Sequence, residues 1–112
     1  MKGIIMPQSF TELYVWEQAY KLILQVYSLT KGFPVEEKYG LTQQLRRLAN
    51  SIAANIAESQ GRFSFKDRIR VLYLARGETF ETRSHLQIAA GLEFIDNNTH
   101  NIIDAEYEKL VK

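Results

Sequence analysis

The chain of 112 residues contains no cysteine, which excludes a disulfide, a thiolate nucleophile and a cysteine-ligated zinc site. It has only two prolines, Pro7 and Pro34, and both stand where a helix can begin or end. No apolar run approaches the roughly 20 residues needed to span a bilayer, so no membrane partner is expected. The opening Met1–Pro7 is too short and too weakly apolar for a secretory signal. Together with the missing cysteines, that suits a cytoplasmic protein. There is no Gly-rich phosphate loop, no strand pattern, no solenoid repeat and no low-complexity tract. Charge of one sign is also lacking, since the formal net charge is +1.

That near-neutrality hides an uneven distribution. Residues 1–40 are balanced, residues 41–83 carry a net of +4, and residues 84–112 a net of −3. A basic stretch inside a neutral chain points to a basic face. Length and ordinary apolar content suit one domain over residues 1–112.

Helical periodicity dominates. Ser9 with Glu12 reads as a capping box opening a helix from Phe10 to Leu29. Leu13, Trp16, Tyr20, Ile23 and Tyr27 form one stripe, expected to be buried. Val15, Ala19, Leu22, Val26 and Leu29 form a second. A helix apolar on two flanks has either a broad core face or a further partner, such as another copy of itself. Lys31-Gly32-Phe33-Pro34 is a stop and restart. The second helix is expected from Leu41 to Ser59, after a break near Gly40, with Leu41, Leu45, Leu48, Ile52 and Ile56 as its stripe. Ala49, Ala53 and Ala57 allow close approach, and Gly61 suits a left-handed cap. Ser64 opens a long third helix to about Ile95, on Phe65, Ile69, Leu72, Ala75, Leu86, Ala90 and Phe94. Gly77 in its middle implies close contact with a neighbouring backbone, or a kink. Asp96–Thr99 is a turn and cap before a short last helix from His100 to Val111. Short loops between these elements predict an all-α, antiparallel up-down-up-down four-helix bundle.

Polar side chains recur at helical spacing. Gln44, Arg47, Ser51, Asn55 and Glu58 line one side of the second helix, and Glu81 and His85 lie one turn apart on the third. Beside an alanine-rich surface, this reads as structural polar contacts rather than a solvated face or a small-molecule site. Catalysis is poorly supported. A bundle di-iron site needs Glu-x-x-His on two helices. Neither His85 nor His100 has a Glu three residues before it, and Glu81 with His85 alone does not make a metal site. No cofactor or metal is expected, nor an enzyme.

The basic residues are Arg62, Lys66, Arg68, Arg70 and Arg76, with Arg46 and Arg47 some turns away on the preceding helix. Arginine clusters suit phosphate recognition. In a monomer the same residues are a solvated face with weak ion pairs; in a ring of copies the patches add.

Phe33-Pro34, Glu37-x-Tyr39-Gly40-Leu41, Gln44-x-Arg46-Arg47, Ser51-Ile52-x-x-Asn55-Ile56-Ala57-Glu58 and Gly61-Arg62 resemble the 23S rRNA intervening-sequence protein family. Val15-Trp16 and Ala75-x-Gly77 with Glu81 fit the same pattern, which spans about Phe10 to Ile95. The resemblance implies a four-helix bundle that assembles into a homopentamer. It also implies a relationship to the accessory protein of diversity-generating retroelements, whose basic ring is thought to meet nucleic acid and a reverse transcriptase. Two positions depart from the pattern. Ser59 replaces the usual Gly, so the second helix is expected to run on to Gly61. Glu78 replaces a small residue, so it is expected to weaken a close helix contact or to reduce the positive potential. The last helix is shorter than in many relatives.

The expected function is non-enzymatic binding of RNA, or of another nucleic acid or nucleoprotein, by a homo-oligomer. A nucleic-acid-processing protein is a further expected partner. The alternative is a protein-interaction module or ring scaffold for which nucleic-acid contact is incidental.

Overall fold

A computed structural model describes residues 9–111. Those residues form four α-helices and no strand: α1 (Tyr14–Thr30), α2 (Leu41–Gln60), α3 (Phe65–Gly91) and α4 (Asn97–Leu110). Helix α1 packs on α2 and α4, and α3 packs on α2 and α4, with no close backbone approach across either diagonal. The result is an up-down-up-down four-helix bundle in which sequence neighbours are space neighbours. The most extensive contact is between α2 and α3.

The first helix begins four residues later than the capping pattern predicts. Ser9 caps a separate 3-10 turn, Phe10–Glu12, with its Oγ accepting the Thr11 N–H at 3.2 Å. Leu13 is extended, at φ −72° and ψ 126°. This break folds Phe10 back onto Trp16, edge to face at 5.1 Å. Of the two apolar flanks of α1, the inward one carries Ala19, Leu22 and Val26, all buried. The flank expected to be buried is only partly so: Leu13, Trp16 and Ile23 are half-buried, while Tyr20 and Tyr27 are exposed.

Helix α2 buries Leu45, Leu48, Ala49, Ile52, Ala53 and Ile56. Its start explains the Glu37-x-x-Gly40-Leu41 spacing. Glu37 follows Val35 and Glu36 in a short 3-10 turn, and its Oε1 accepts the Leu41 N–H at 2.9 Å. That satisfies one of the unpaired donors of a helix N-terminus. A Cβ on Gly40 would stand 2.5 Å from the same oxygen, so glycine leaves room for the cap. At the other end, the expected left-handed cap is absent. Gly61 has φ −87° and ψ −4°, and Ser59 is buried with its Oγ donating to the Ile56 carbonyl at 2.6 Å. The last turn is closed by a side chain, so no left-handed residue is required.

Helix α3 is one uninterrupted helical run through Gly77. Beyond the local backbone of α3, no atom of the described chain lies within 4 Å of where a Gly77 Cβ would be, so the expected close contact with a neighbouring backbone is absent among the described residues. Its buried line is Val71, Ala75, Thr79, Thr82, Leu86 and Ala89. The two threonines enter the core because their hydroxyls donate to the Ala75 and Glu78 carbonyls, both at 2.8 Å. Apolar patterning alone skips them. The helix stops at Gly91 rather than near Ile95. Glu93 takes φ 64°, its N–H donates to Ala90, and the Phe94 N–H reaches back to Ala89. That is the Schellman arrangement, and it turns Phe94 inward against Phe33, 5.4 Å away.

Asp96 caps α4 by accepting the Thr99 N–H at 2.7 Å, a bond that holds its carboxyl below the usual carboxylate range. The cap therefore starts α4 at Asn97, three residues before the expected His100. His100, Ile103 and Tyr107 face inward, and burial pushes the Tyr107 phenol above its ordinary pKa. Helix α4 has 14 residues against 27 in α3. At 1.5 Å per residue these are about 21 and about 40 Å long. The first half of α3 therefore lacks α4 as a neighbour. An open apolar groove of about 560 Å³ results, lined by Val15, Ile52, Ile56, Ile69 and Leu72 among others.

Candidate nucleic-acid interface

The α2–α3 connection is short: Gly61, then Arg62-Phe63, then the capping Ser64. Ser64 Oγ accepts the Asp67 N–H at 3.0 Å, which fixes the start of α3. Four cations gather at this end of the bundle. Arg62 pairs with Glu58 one turn earlier on α2. Arg68 Nε donates to the Arg62 carbonyl at 2.7 Å, so it braces the turn. Arg70 lies 4.0 Å from Asp67, both exposed. Lys66 is exposed and makes no ion pair among the described residues. Exposed pairs of this kind contribute at most about 1 kcal/mol each, so the cations remain available to an anionic ligand. Phe63 and Phe65 flank the cap and are 90% and 78% exposed.

The other expected cations lie elsewhere. Arg76 stands two turns beyond Arg68, about 12 Å along α3, with its guanidinium 5.8 Å from the Phe80 ring. Arg46 and Arg47 are about 22 Å from Arg62 along α2. Arg46 is engaged with α1: its Nε donates to Thr30 Oγ1 at 2.8 Å and its guanidinium lies 4.7 Å from the Tyr27 ring. Arg47 is exposed and donates to Gln44 Oε1 at 2.7 Å. The seven cations thus form one cluster, one intermediate residue and one separate pair.

The polar residues of α2 likewise divide. Ser51 and Asn55 both donate to Glu78 of α3, Asn55 at 2.7 Å. Glu78 is the centre of this bridge; the sequence marked it as a misfit. Glu58 belongs to the Arg62 pair and Gln44 to the Arg47 pair. Glu81 is exposed and has no hydrogen bond to another side chain among the described residues. His85 is half-buried, with Nδ1 enclosed and unpartnered. No group of three or more His, Asp or Glu side chains among the described residues is placed to hold a metal ion.

Two further features escaped the sequence reading. Arg83 joins α3 to α4 through both Asp104 oxygens, at 2.8 and 3.2 Å, which raises its pKa above the ordinary arginine value. Spacing cannot reveal a pair across two helices whose register is unknown. The exposure of Phe63 and Phe65 was the other. Apolar periodicity counts Phe65 among the packing positions of the third helix, and a hydrophobic residue just before a serine cap, as Phe63 is, ordinarily packs onto its own helix.

The family model described as 23S rRNA-intervening sequence protein matches residues 11–112. The fold is similar to a crystal structure of a protein of unknown function from the S23 ribosomal protein family from Bacteroides thetaiotaomicron. The TM-score is 0.79 and the identity 24%, over 86% of this chain and 90% of that one. At that identity the likeness bears on the fold. No curated protein is matched by the chain.

Proposed function

The chain belongs to the 23S rRNA-intervening sequence protein family, and on that footing we propose that it is a non-enzymatic, homo-oligomeric RNA-binding bundle. The observation that carries this reading is the gathering of Arg62, Lys66, Arg68 and Arg70 at one bundle end, on a chain of net charge +1. Asp67 and Glu58 only partly offset them. Self-association is supported by two outward apolar surfaces. Tyr20, Leu24 and Tyr27 are exposed on α1. Leu74, Phe80 and Ile88 are exposed on α3, around a Gly77 whose missing Cβ faces open space. A ring of five copies, as the family resemblance implies, would add the basic ends of its members into one continuous cationic surface.

Phosphate contact by Lys and Arg releases counterions. If an assembly meets about six phosphates of a single strand, log affinity falls with log salt at a slope of about −4. A fourfold Lys/Arg→Gln variant at positions 62, 66, 68 and 70 should lose RNA binding while the assembly survives. A flat salt response, or normal RNA binding by that variant, overturns the reading.

The apolar groove between α1, α2 and α3 favours a second reading. A partner protein, such as one that processes nucleic acid, would dock on the oligomer with RNA contact incidental. Retention of partner binding by the charge variant, with RNA binding unchanged, would favour it.

A further inference from the structure

We propose that the α2–α3 end takes single-stranded nucleic acid, with unpaired bases stacking on Phe63 and Phe65 and the surrounding cations holding the phosphates. The proposal rests on the RNA-binding reading above and deepens it by naming the form of the ligand.

The fold makes no use of either ring. Phe63 is the most exposed aromatic residue among those described, at 90%, and Phe65 is the next, at 78%. Neither ring stacks on another aromatic group or lies beneath a cation of the described chain. A residue in the position of Phe63 ordinarily packs against the fourth residue of the helix it precedes. Here that residue is Arg68, whose guanidinium turns to the Arg62 carbonyl instead. Ser64, between the two rings, is extended at φ −83° and ψ 145°. The two Cα atoms are therefore about 7 Å apart, close enough for neighbouring nucleotides of one strand.

Aromatic rings interleaved with cations are how proteins hold unpaired strands. Every base has a π-face, and each stacked base contributes on the order of tenfold in affinity. In the sequence Arg62-Phe63-Ser64-Phe65-Lys66 a cation flanks the two rings on either side, with Arg68 and Arg70 one turn on. A duplex, whose bases are already stacked, would engage the cations alone. A lipid surface calls for a continuous apolar face along a helix. These rings are isolated among Arg62, Ser64, Lys66 and Asp67, which favours nucleic acid.

The test compares an oligouridine of about 16 nucleotides with an RNA duplex of the same length, by fluorescence anisotropy on the full chain. The proposal expects the single strand to bind at least tenfold tighter than the duplex. Phe63→Ala with Phe65→Ala should weaken the single strand by about ten- to a hundredfold, and leave duplex binding and the salt slope unchanged. Phe63→Tyr with Phe65→Tyr should keep the preference. Equal binding of both forms, unaffected by the alanines, overturns the stacking proposal and leaves the basic-surface reading standing. Binding of neither form overturns both. Two other outcomes would assign the rings to different partners and also overturn it. One is a change in particle mass on alanine substitution. The other is phosphatidylserine-vesicle binding that the substitutions abolish while oligouridine binding stays the same.

Discussion

Glu78 shows how far a single side chain's meaning depends on its neighbours. On α3 alone it is a charge beside Gly77, where bulk and charge both look unwelcome. Across the helix pair it accepts hydrogen bonds from Ser51 and Asn55. Hydrogen bonds to a charged group stabilise by about 1.5–3 kcal/mol, and the donors left behind add their own desolvation cost. Glu78→Ala should therefore cost about 1–3 kcal/mol, read as a lower urea midpoint at an unchanged slope. Alanine substitution of Glu81, which is exposed, should be close to neutral. The sequence nominated Glu81 because it identifies a face to within a turn. Choosing between two residues three apart requires the rotation of α3 about its own axis. Arg46 teaches the same lesson in reverse. It has the composition of a phosphate contact, but its neighbours Tyr27 and Thr30 make it a packing residue of the α1–α2 pair.

At the level of elements, α3 and α4 start directly after a capping side chain, whereas α1 starts beyond the turn that Ser9 caps. Ser64 and Asp96 act where the sequence places them, because a cap is made within four residues of backbone. The ends are less regular. Helix α3 stops through Glu93 in the left-handed region, at φ 64°. That conformation costs an ordinary L-residue about 1–2 kcal/mol, and glycine is free of the penalty. Glycine also gains unfolded-state entropy, which takes back part of the benefit. Glu93→Gly should therefore stabilise the bundle by about 0.5–1 kcal/mol. Calorimetry should record a midpoint about 2–5 °C higher. A lower midpoint would mean that the Glu93 side chain has a role outside the turn. The sequence does not mark this stop because no glycine stands at the left-handed position. The continuous apolar periodicity through Phe94 and Ile95 then reads as more helix.

The whole molecule is elongated, about 53 × 24 × 20 Å, with α4 shorter than the helix it packs on. So slender a bundle cannot bury every apolar flank within one chain. Tyr20 and Leu24 on α1, and Leu74, Phe80 and Ile88 on α3, stay exposed. Self-association would bury these outward apolar residues. Light scattering at high protein concentration should accordingly report a multiple of the 13.0 kDa chain mass, fivefold for a pentamer. A lone particle of 13.0 kDa would refute self-association. The added cationic surface would go with it.

What the sequence determined on its own was local: four helices, the starts of α2 and α3, an up-down course enforced by short connections, and a basic stretch centred on Arg62 to Arg70. Helix periodicity and capping act within a few residues, so a linear reading reaches them. The tertiary structure alone decided which flank of α1 faces the core, that Thr79 and Thr82 join it, and that Glu78 is the partner of Ser51 and Asn55. It also tied Arg46 to Thr30 and Tyr27 and left Phe63 and Phe65 in solvent. Each of those outcomes depends on the axial register and rotation of one helix against another. Register and rotation are settled by the packing of all four helices together, and no window along the chain contains that information.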